Sequence, residues 1–112
     1  MSERELAELV LNALATSDLD RVRELATEGV VVFGTDVGER WDSRESLLEA
    51  LDSMRALGLS AEWADDLRAG PGWLAGTAVY RLSDGRRLPT RVSLVFEGGR
   101  LVHGHFSVAQ GA

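Results

Sequence analysis

Both histidines of this chain lie in its last strand-like run, Arg100-Leu101-Val102-His103-Gly104-His105-Phe106-Ser107-Val108. Residues two apart on a strand share a face, so His103 and His105 point the same way. Imidazole titrates near neutrality and is a natural general base. The i, i+2 spacing also suits metal chelation, with Asp65 or Glu62 as a carboxylate partner. No third ligand is marked in the sequence, so no metal site is expected. The preceding run, Thr90-Arg91-Val92-Ser93-Leu94-Val95-Phe96, sets Arg91 among apolar residues. A buried guanidinium without a counter-charge is costly. Arg91 therefore needs either a carboxylate (Asp65, Asp66 or Glu39) or an anionic ligand matched to its planar fork of donors.

Asp36 stands in the turn-like Gly34-Thr35-Asp36-Val37-Gly38, and Asp65 in the stretch Trp63-Ala64-Asp65-Asp66. A carboxylate in an apolar pocket has a raised pKa and can shuttle a proton at carbon. An Asx-type turn explains Asp36 equally well, and a solvated strand charge explains Asp65. Trp41, Trp63, Trp73 and Tyr80 supply bulky aromatic surface of the kind that walls small-molecule pockets or fills cores. Tyr80 shares a face with Ala78 and Gly76, small residues that would open space before its hydroxyl.

The elements that must hold these groups are readable. Ser2 and Glu5 form a capping box for a first helix over residues 2–15, with Leu6, Leu9, Val10 and Ala13 on one face. A second helix carries Leu19, Val22, Leu25 and Ala26 and is expected to end at Gly29. Val30–Phe33 reads as a strand and Glu39–Trp41 as its return. Asp42 with Glu45 is the expected cap of a third helix, which buries Leu47, Leu48, Leu51 and Met54 and stops at Gly58. From residue 60 the period becomes two: strands at 60–69, 73–82, 86–96 and 100–108 are joined by short Gly-containing turns. Pro89 predicts an edge position or a bulge.

Strict alternation divides the last hairpin into two sets. Arg91, Ser93 and Val95 fall with Val102, Gly104 and Phe106; Val92, Leu94 and Phe96 fall with His103, His105 and Ser107. A bulge at Pro89 or Gly104 would reverse the placing of the histidines.

At 112 residues, 45% hydrophobic and 27% charged, the chain reads as one globular domain over 1–112. Its formal net charge of −6 argues against nucleic acid or an anionic membrane as partner. No apolar run is long enough for a membrane span and the N-terminus is no signal peptide. With no cysteine, thiolate metal sites and disulfides are excluded and the cytoplasm is the expected location. All twelve basic residues are arginines, which excludes Schiff-base chemistry through a lysine.

The ordered set of elements, Phe33-Gly34-Thr35-Asp36 through Trp41 before the third helix, and His103-Gly104-His105-Phe106-Ser107 at the end resemble the SnoaL-like group of the nuclear transport factor 2-like superfamily. Thr90-Arg91-Val92, a Gly turn and His-x-His-x-Ser also resemble the association domain of calcium/calmodulin-dependent kinase. The resemblance implies a cone-shaped α+β fold of order α-α-β-β-α-β-β-β-β, three helices on a curved, mainly antiparallel sheet. It implies a pocket between helices and sheet, and a homodimer through the outer sheet face. The kinase-domain likeness puts Arg91 and its set, Phe106 included, in the pocket. Val92, Leu94 and Phe96, with the histidines, would then lie at the interface.

Ketosteroid isomerases of this superfamily carry their catalytic aspartate after the strand that corresponds to Val30–Phe33, and Asp36 is adjacent to that position. Their first-helix tyrosine and terminal-strand aspartate have no counterpart here, and neither does the terminal-strand acid of SnoaL-type cyclases. Asp65 is the substitute.

The resulting expectation is a pocket protein that binds a mostly apolar, carboxylate-bearing small molecule as a homodimer and uses no cofactor. Its ligand-binding residues are Trp41, Trp63, Tyr80, Arg91 and Phe106. The alternatives are a cofactor-free cyclase, isomerase or hydrolase working through Asp36, Asp65, His103 or His105, and a pure dimerisation module.

Overall fold

The computed structural model describes residues 2–35 and 38–108, without the side chains of Glu3 and Val108. It is an α+β fold. Helices α1 (Glu3–Thr16), α2 (Leu19–Leu25) and α3 (Arg44–Met54) cover one face of a sheet made from β1 (Ala26–Phe33), β2 (Arg40–Trp41), β3 (Ser60–Trp63), β4 (Arg68–Gly70), β5 (Trp73–Arg81), β6 (Arg87–Glu97) and β7 (Arg100–Val108). The strand order is β2-β1-β7-β6-β5-β3, with β4 also on β5. Only β1 and β7 pair in parallel among these strands; the other pairs are antiparallel.

Local chemistry accounts for most boundaries. Ser2 and Glu5 form the capping box of α1, and Ser17 ends that helix in the left-handed region at φ 56°. For α3 the cap is Ser43 with Ser46 rather than Asp42 with Glu45: Ser43 Oγ accepts from the Ser46 N–H at 3.1 Å. A 3-10 turn, Arg55–Leu57, extends α3 to Gly58 at φ 63°. Gly29 does not end α2. The chain turns extended at Ala26 because β1 starts there, and the Ala26 carbonyl accepts from Arg100 Nη2 at 2.9 Å and Arg44 Nη1 at 3.5 Å. Two arginines thus hold a helix-to-strand junction that has no glycine.

The long strand expected at 60–69 is two short ones. β3 pairs with Ala78–Arg81 and β4 with Trp73–Ala75. Asp66 fills the gap between them, accepting from the Thr77 N–H at 2.9 Å and its hydroxyl at 2.7 Å, while Ala64 N–H donates to the Thr77 carbonyl. These bonds to the ionised form hold the Asp66 carboxyl below the usual carboxylate range. Pro89 sits inside β6, an interior strand, with no bulge. Among the described residues Pro89 is paired only with Val79 of β5, at the end of the described β6–β7 ladder, where a missing N–H costs least.

The decisive irregularity is in the last hairpin. Phe96 pairs with Leu101, but Val95 pairs with His103, leaving Val102 as an extra residue. This β-bulge resets the alternation of β7 by one. His103, His105 and Ser107 therefore join Arg91, Ser93 and Val95 on the outer face. Gly104 and Phe106 join Thr90, Val92 and Leu94 on the inner face. Val92, Leu94 and Phe96 are buried under the helices, not part of an outer interface.

The core runs from Ala7, Val10, Leu11 and Leu14 of α1, through Leu47, Leu48 and Leu51 of α3, to Val30, Val32, Leu74, Val92, Leu94 and Leu101 of the sheet. Each fully buried aliphatic side chain contributes on the order of 1.5–3 kcal/mol, which fixes the inner face of the sheet against the helices.

Candidate functional site

The helices do not fill the space over the sheet completely. Beneath α3 lies a cavity of about 290 Å³, lined by Leu14, Val32, Leu47, Leu51, Met54, Trp41, Tyr80, Thr90 and Phe106 among others. Its rim includes Leu57 and Leu88, both large and exposed (54% and 41%), which marks the mouth between the end of α3 and the start of β6.

Few polar groups reach this space. Thr90 is buried, and its hydroxyl donates to the Leu88 carbonyl at 3.4 Å. Glu39 lies at the lining beside Gly34 and Trp41. A Cβ at Gly34 would stand 2.7 Å from Glu39 Oε1 and 2.9 Å from Trp41 Cη2, so only glycine lets both side chains fold over the cavity here. The Gly34 N–H donates to the Glu39 carbonyl at 2.9 Å and closes the β1–β2 hairpin. Tyr80 projects from β5, and its hydroxyl has no hydrogen-bond partner among the described residues. Burial pushes its phenol well above the ordinary 10.0. It stays protonated, a donor facing apolar walls.

The sequence-derived candidates separate between the two faces. Trp41, Tyr80 and Phe106 line the cavity. Trp63 does not; its Nε1–H donates to the Ala7 carbonyl at 3.2 Å, packing the ring against α1. Arg91 is exposed on the outer face, opposite in direction to its buried neighbour Val92, and the Val102 bulge sets it beside Ser107 and parts it from Phe106. His103 and His105 are on that outer face too, flanking Phe33 with ring centroids 5.7 and 5.6 Å away, and the Arg40 guanidinium lies 5.5 Å over the same ring. Asp65 is exposed in the turn between β3 and β4, where strand alternation does not apply, and it lines no cavity described here. Asp36 lies outside the described residues. Among the described residues no three His, Asp or Glu side chains gather as a metal site, and no helix is long and apolar enough to cross a membrane. Glu39 is the acid that the sequence reading passed over as a site residue. Its place next to Gly34 and Trp41 in a tight hairpin was the available signal.

Solved structures share this arrangement over nearly the whole chain. An NTF2-like protein of unknown function from Cytophaga hutchinsonii superposes with a TM-score of 0.75 at 12% identity, covering 97% of this chain and 91% of that one. The chain has the NTF2-like fold. Other structures with this NTF2-like arrangement carry different descriptions. IdmH of Streptomyces antibioticus, a proposed polyketide cyclase, gives a TM-score of 0.79 at 18% identity, covering 96% of this chain and 92% of its own. An LEH-like epoxide hydrolase of M. tuberculosis gives 0.77 at 16%, covering 94% and 80%. No family model matches the sequence, and no curated protein matches it. At such identities the likeness gives the fold, and function has to be argued from the cavity.

Tyr80 offers a direct check, because it is the chain's one tyrosine. Unfolded tyrosine loses its proton near 10 and native Tyr80 does so only at higher pH. Above about pH 10 the unfolded state therefore binds fewer protons, and stability falls as pH rises. Ultraviolet titration of the folded protein should show no tyrosinate at pH 10–11, with the signal arriving on unfolding. Ordinary titration in the folded state would place the hydroxyl in water.

Proposed function

We propose that this chain is a SnoaL-like pocket protein that binds a small, mostly apolar, uncharged molecule in the cavity under α3. One observation carries the reading: a space of about 290 Å³ walled by aliphatic and aromatic side chains, with Tyr80, whose hydroxyl has no hydrogen-bond partner among the described residues, in its lining. That volume is close to the lower end of the ~300–1,000 Å³ usual for small-molecule sites. A donor without a protein partner at the lining favours a ligand that brings an acceptor, a carbonyl or ether oxygen, to Tyr80. With Arg91 on the other face and the carboxylate of Glu39 at the lining, a carboxylate-bearing ligand is disfavoured in this cavity. An open cavity also weighs against a pure dimerisation module.

Isothermal calorimetry with neutral bicyclic ketones should detect binding by the wild type. Leu51→Trp, which fills the cavity, and Leu57→Asp, which charges its mouth without touching the core, should each weaken that binding roughly tenfold or more, the effect of losing about 1.4 kcal/mol. Unchanged affinity in both variants would refute the site.

A proton-transfer enzyme is the second reading, favoured because Glu39 and Tyr80 open onto the same apolar space. Glu39 would move a proton at carbon while Tyr80 donates to the resulting oxyanion. Glu39→Gln should then abolish turnover and leave ligand affinity within a few-fold. An equal loss of both would return Glu39 to a binding role.

The reading includes homodimerisation through the outer sheet face. Trp73, Val95, His103 and Val31 follow one another as cross-strand partners across β5, β6, β7 and β1. Trp73 and Val95 are 43% and 38% exposed. Sedimentation equilibrium should report two chains for the wild type and one for Trp73→Asp; a monomeric wild type would dismiss the dimer.

A further inference from the structure

The inner-face row of β6 runs on past the helices that cover it. Thr90 and Val92 are buried, but Leu88, two residues before Thr90 on the same face and the partner of Tyr80 on β5, is exposed. Above it α3 stops at Met54. The chain tightens into the 3-10 turn Arg55–Leu57 and reverses at Gly58, in the left-handed region at φ 63°. A Cβ on Gly58 would stand 3.8 Å from the Cβ of Ser83, so this reversal lies against the turn that joins β5 to β6. Leu57 and Leu59 come from one side of that contact, Leu82 and Leu88 from the other, and all four line the cavity under α3.

A single exposed leucine calls for no account, but an apolar patch continuous with a pocket marks a binding surface. Among the described residues four large apolar side chains are exposed: Trp73, Val95, Leu57 and Leu88. The first two are cross-strand partners on the outer sheet face, in the row proposed for the dimer contact. Leu57 and Leu88 stand at the cavity mouth on the inner side of the sheet, where that contact does not reach. The charges next to them in sequence are engaged with one another, Arg55 with Asp52 at 3.5 Å and Arg86 with Asp84 at 2.6 Å. Four partly covered leucines present far less than the roughly 800 Å² per partner of a stable protein interface.

An apolar cavity of about 150 Å³ is enough for benzene, so the space of about 290 Å³ here suits a molecule of roughly two rings. A ligand of that size would be enclosed and would leave the leucine rim wet. A longer one would cover it. We infer that the ligand of this cavity carries an apolar alkyl chain that crosses the mouth and lies over Leu57, Leu59, Leu82 and Leu88, with its compact carbonyl-bearing or ether-bearing end inside. The inference rests on the cavity being the binding site, and adds that the molecule is longer than the cavity. The rim offers aliphatic side chains alone, which suits methylenes better than a polar group.

Isothermal calorimetry on the full chain with para-alkylacetophenones, from methyl through butyl to octyl, tests this. Full transfer of one methylene from water is worth roughly fourfold in affinity, and partial cover on an open rim about twofold. Wild type should therefore bind the octyl compound on the order of tenfold more tightly than the butyl one. A double variant, Leu57→Ser with Leu88→Ser, should lose most of that gain. Both side chains are exposed, so the substitutions leave the core untouched. Binding of the methyl compound with no gain from butyl to octyl would overturn the alkyl chain and leave the cavity reading standing. No binding by any of the three would remove both. An equal gain in wild type and double variant would place the chain elsewhere. If that variant also changed its sedimenting mass, the rim would belong to a protein contact.

Discussion

One extra residue in β7 decides which chemistry sits on which side of this sheet. Phe96 opposes Leu101, while Val95 opposes His103, so Val102 has no partner of its own and every residue beyond it is inverted relative to a regular hairpin. The period of a strand is two, and a one-residue slip exchanges all its side chains between faces. Without the bulge both histidines would face the apolar interior and Phe106 would face solvent. With it, Phe106 closes the core, and the histidines lie beside Phe33, Ser93 and Arg91 on the outer surface. Burial of Leu94, Val92, Leu101 and Phe106 under the helices holds that register.

The inner cavity follows from the same partition. Because the imidazoles and the guanidinium are outside, the space beneath α3 is left with aliphatic and aromatic walls and the polar tips of Tyr80, Thr90 and Glu39. An environment of this kind favours neutral species: it raises the Tyr80 phenol by desolvation and gives a ligand's acceptor oxygen little competition from other groups. Gly34 contributes by omission, since any side chain there would collide with Glu39 and Trp41. The two faces of one sheet thus differ in chemistry, with an apolar enclosure inside and the charged, imidazole and hydroxyl side chains outside.

Much of this was legible in the sequence. Helical spacing in α1 and α3, the Ser2–Glu5 capping box, and the switch to period two after residue 60 give the element order, because each depends on neighbours within a few residues. Trp41, Tyr80 and Phe106, expected as ligand-binding residues, line the cavity under α3. The errors have one character. A bulge at Val102 leaves no mark in residue types, since valine suits a regular strand as well, and so Arg91 and Phe106 were read as sharing one face. Asp65 was read as a strand residue because nothing local announces the gap that Asp66 bridges to Thr77. Trp63 was read as a wall, when its indole N–H is tied to α1, a contact across 56 residues of sequence. Long-range pairing decided all three, and single-sequence patterns do not carry it.

On the proposed function, apolar ligands enter the space under α3 and leave the outer face untouched. The most direct measurement is a methyl-resolved NMR titration of the wild-type chain with a neutral bicyclic ketone. Saturable shifts are expected in the methyl groups of Leu47, Leu51, Met54, Leu82 and Leu88, with those of Val31 and Val95 unmoved. Shifts confined to Val31 and Val95, with the cavity methyls silent, would contradict it.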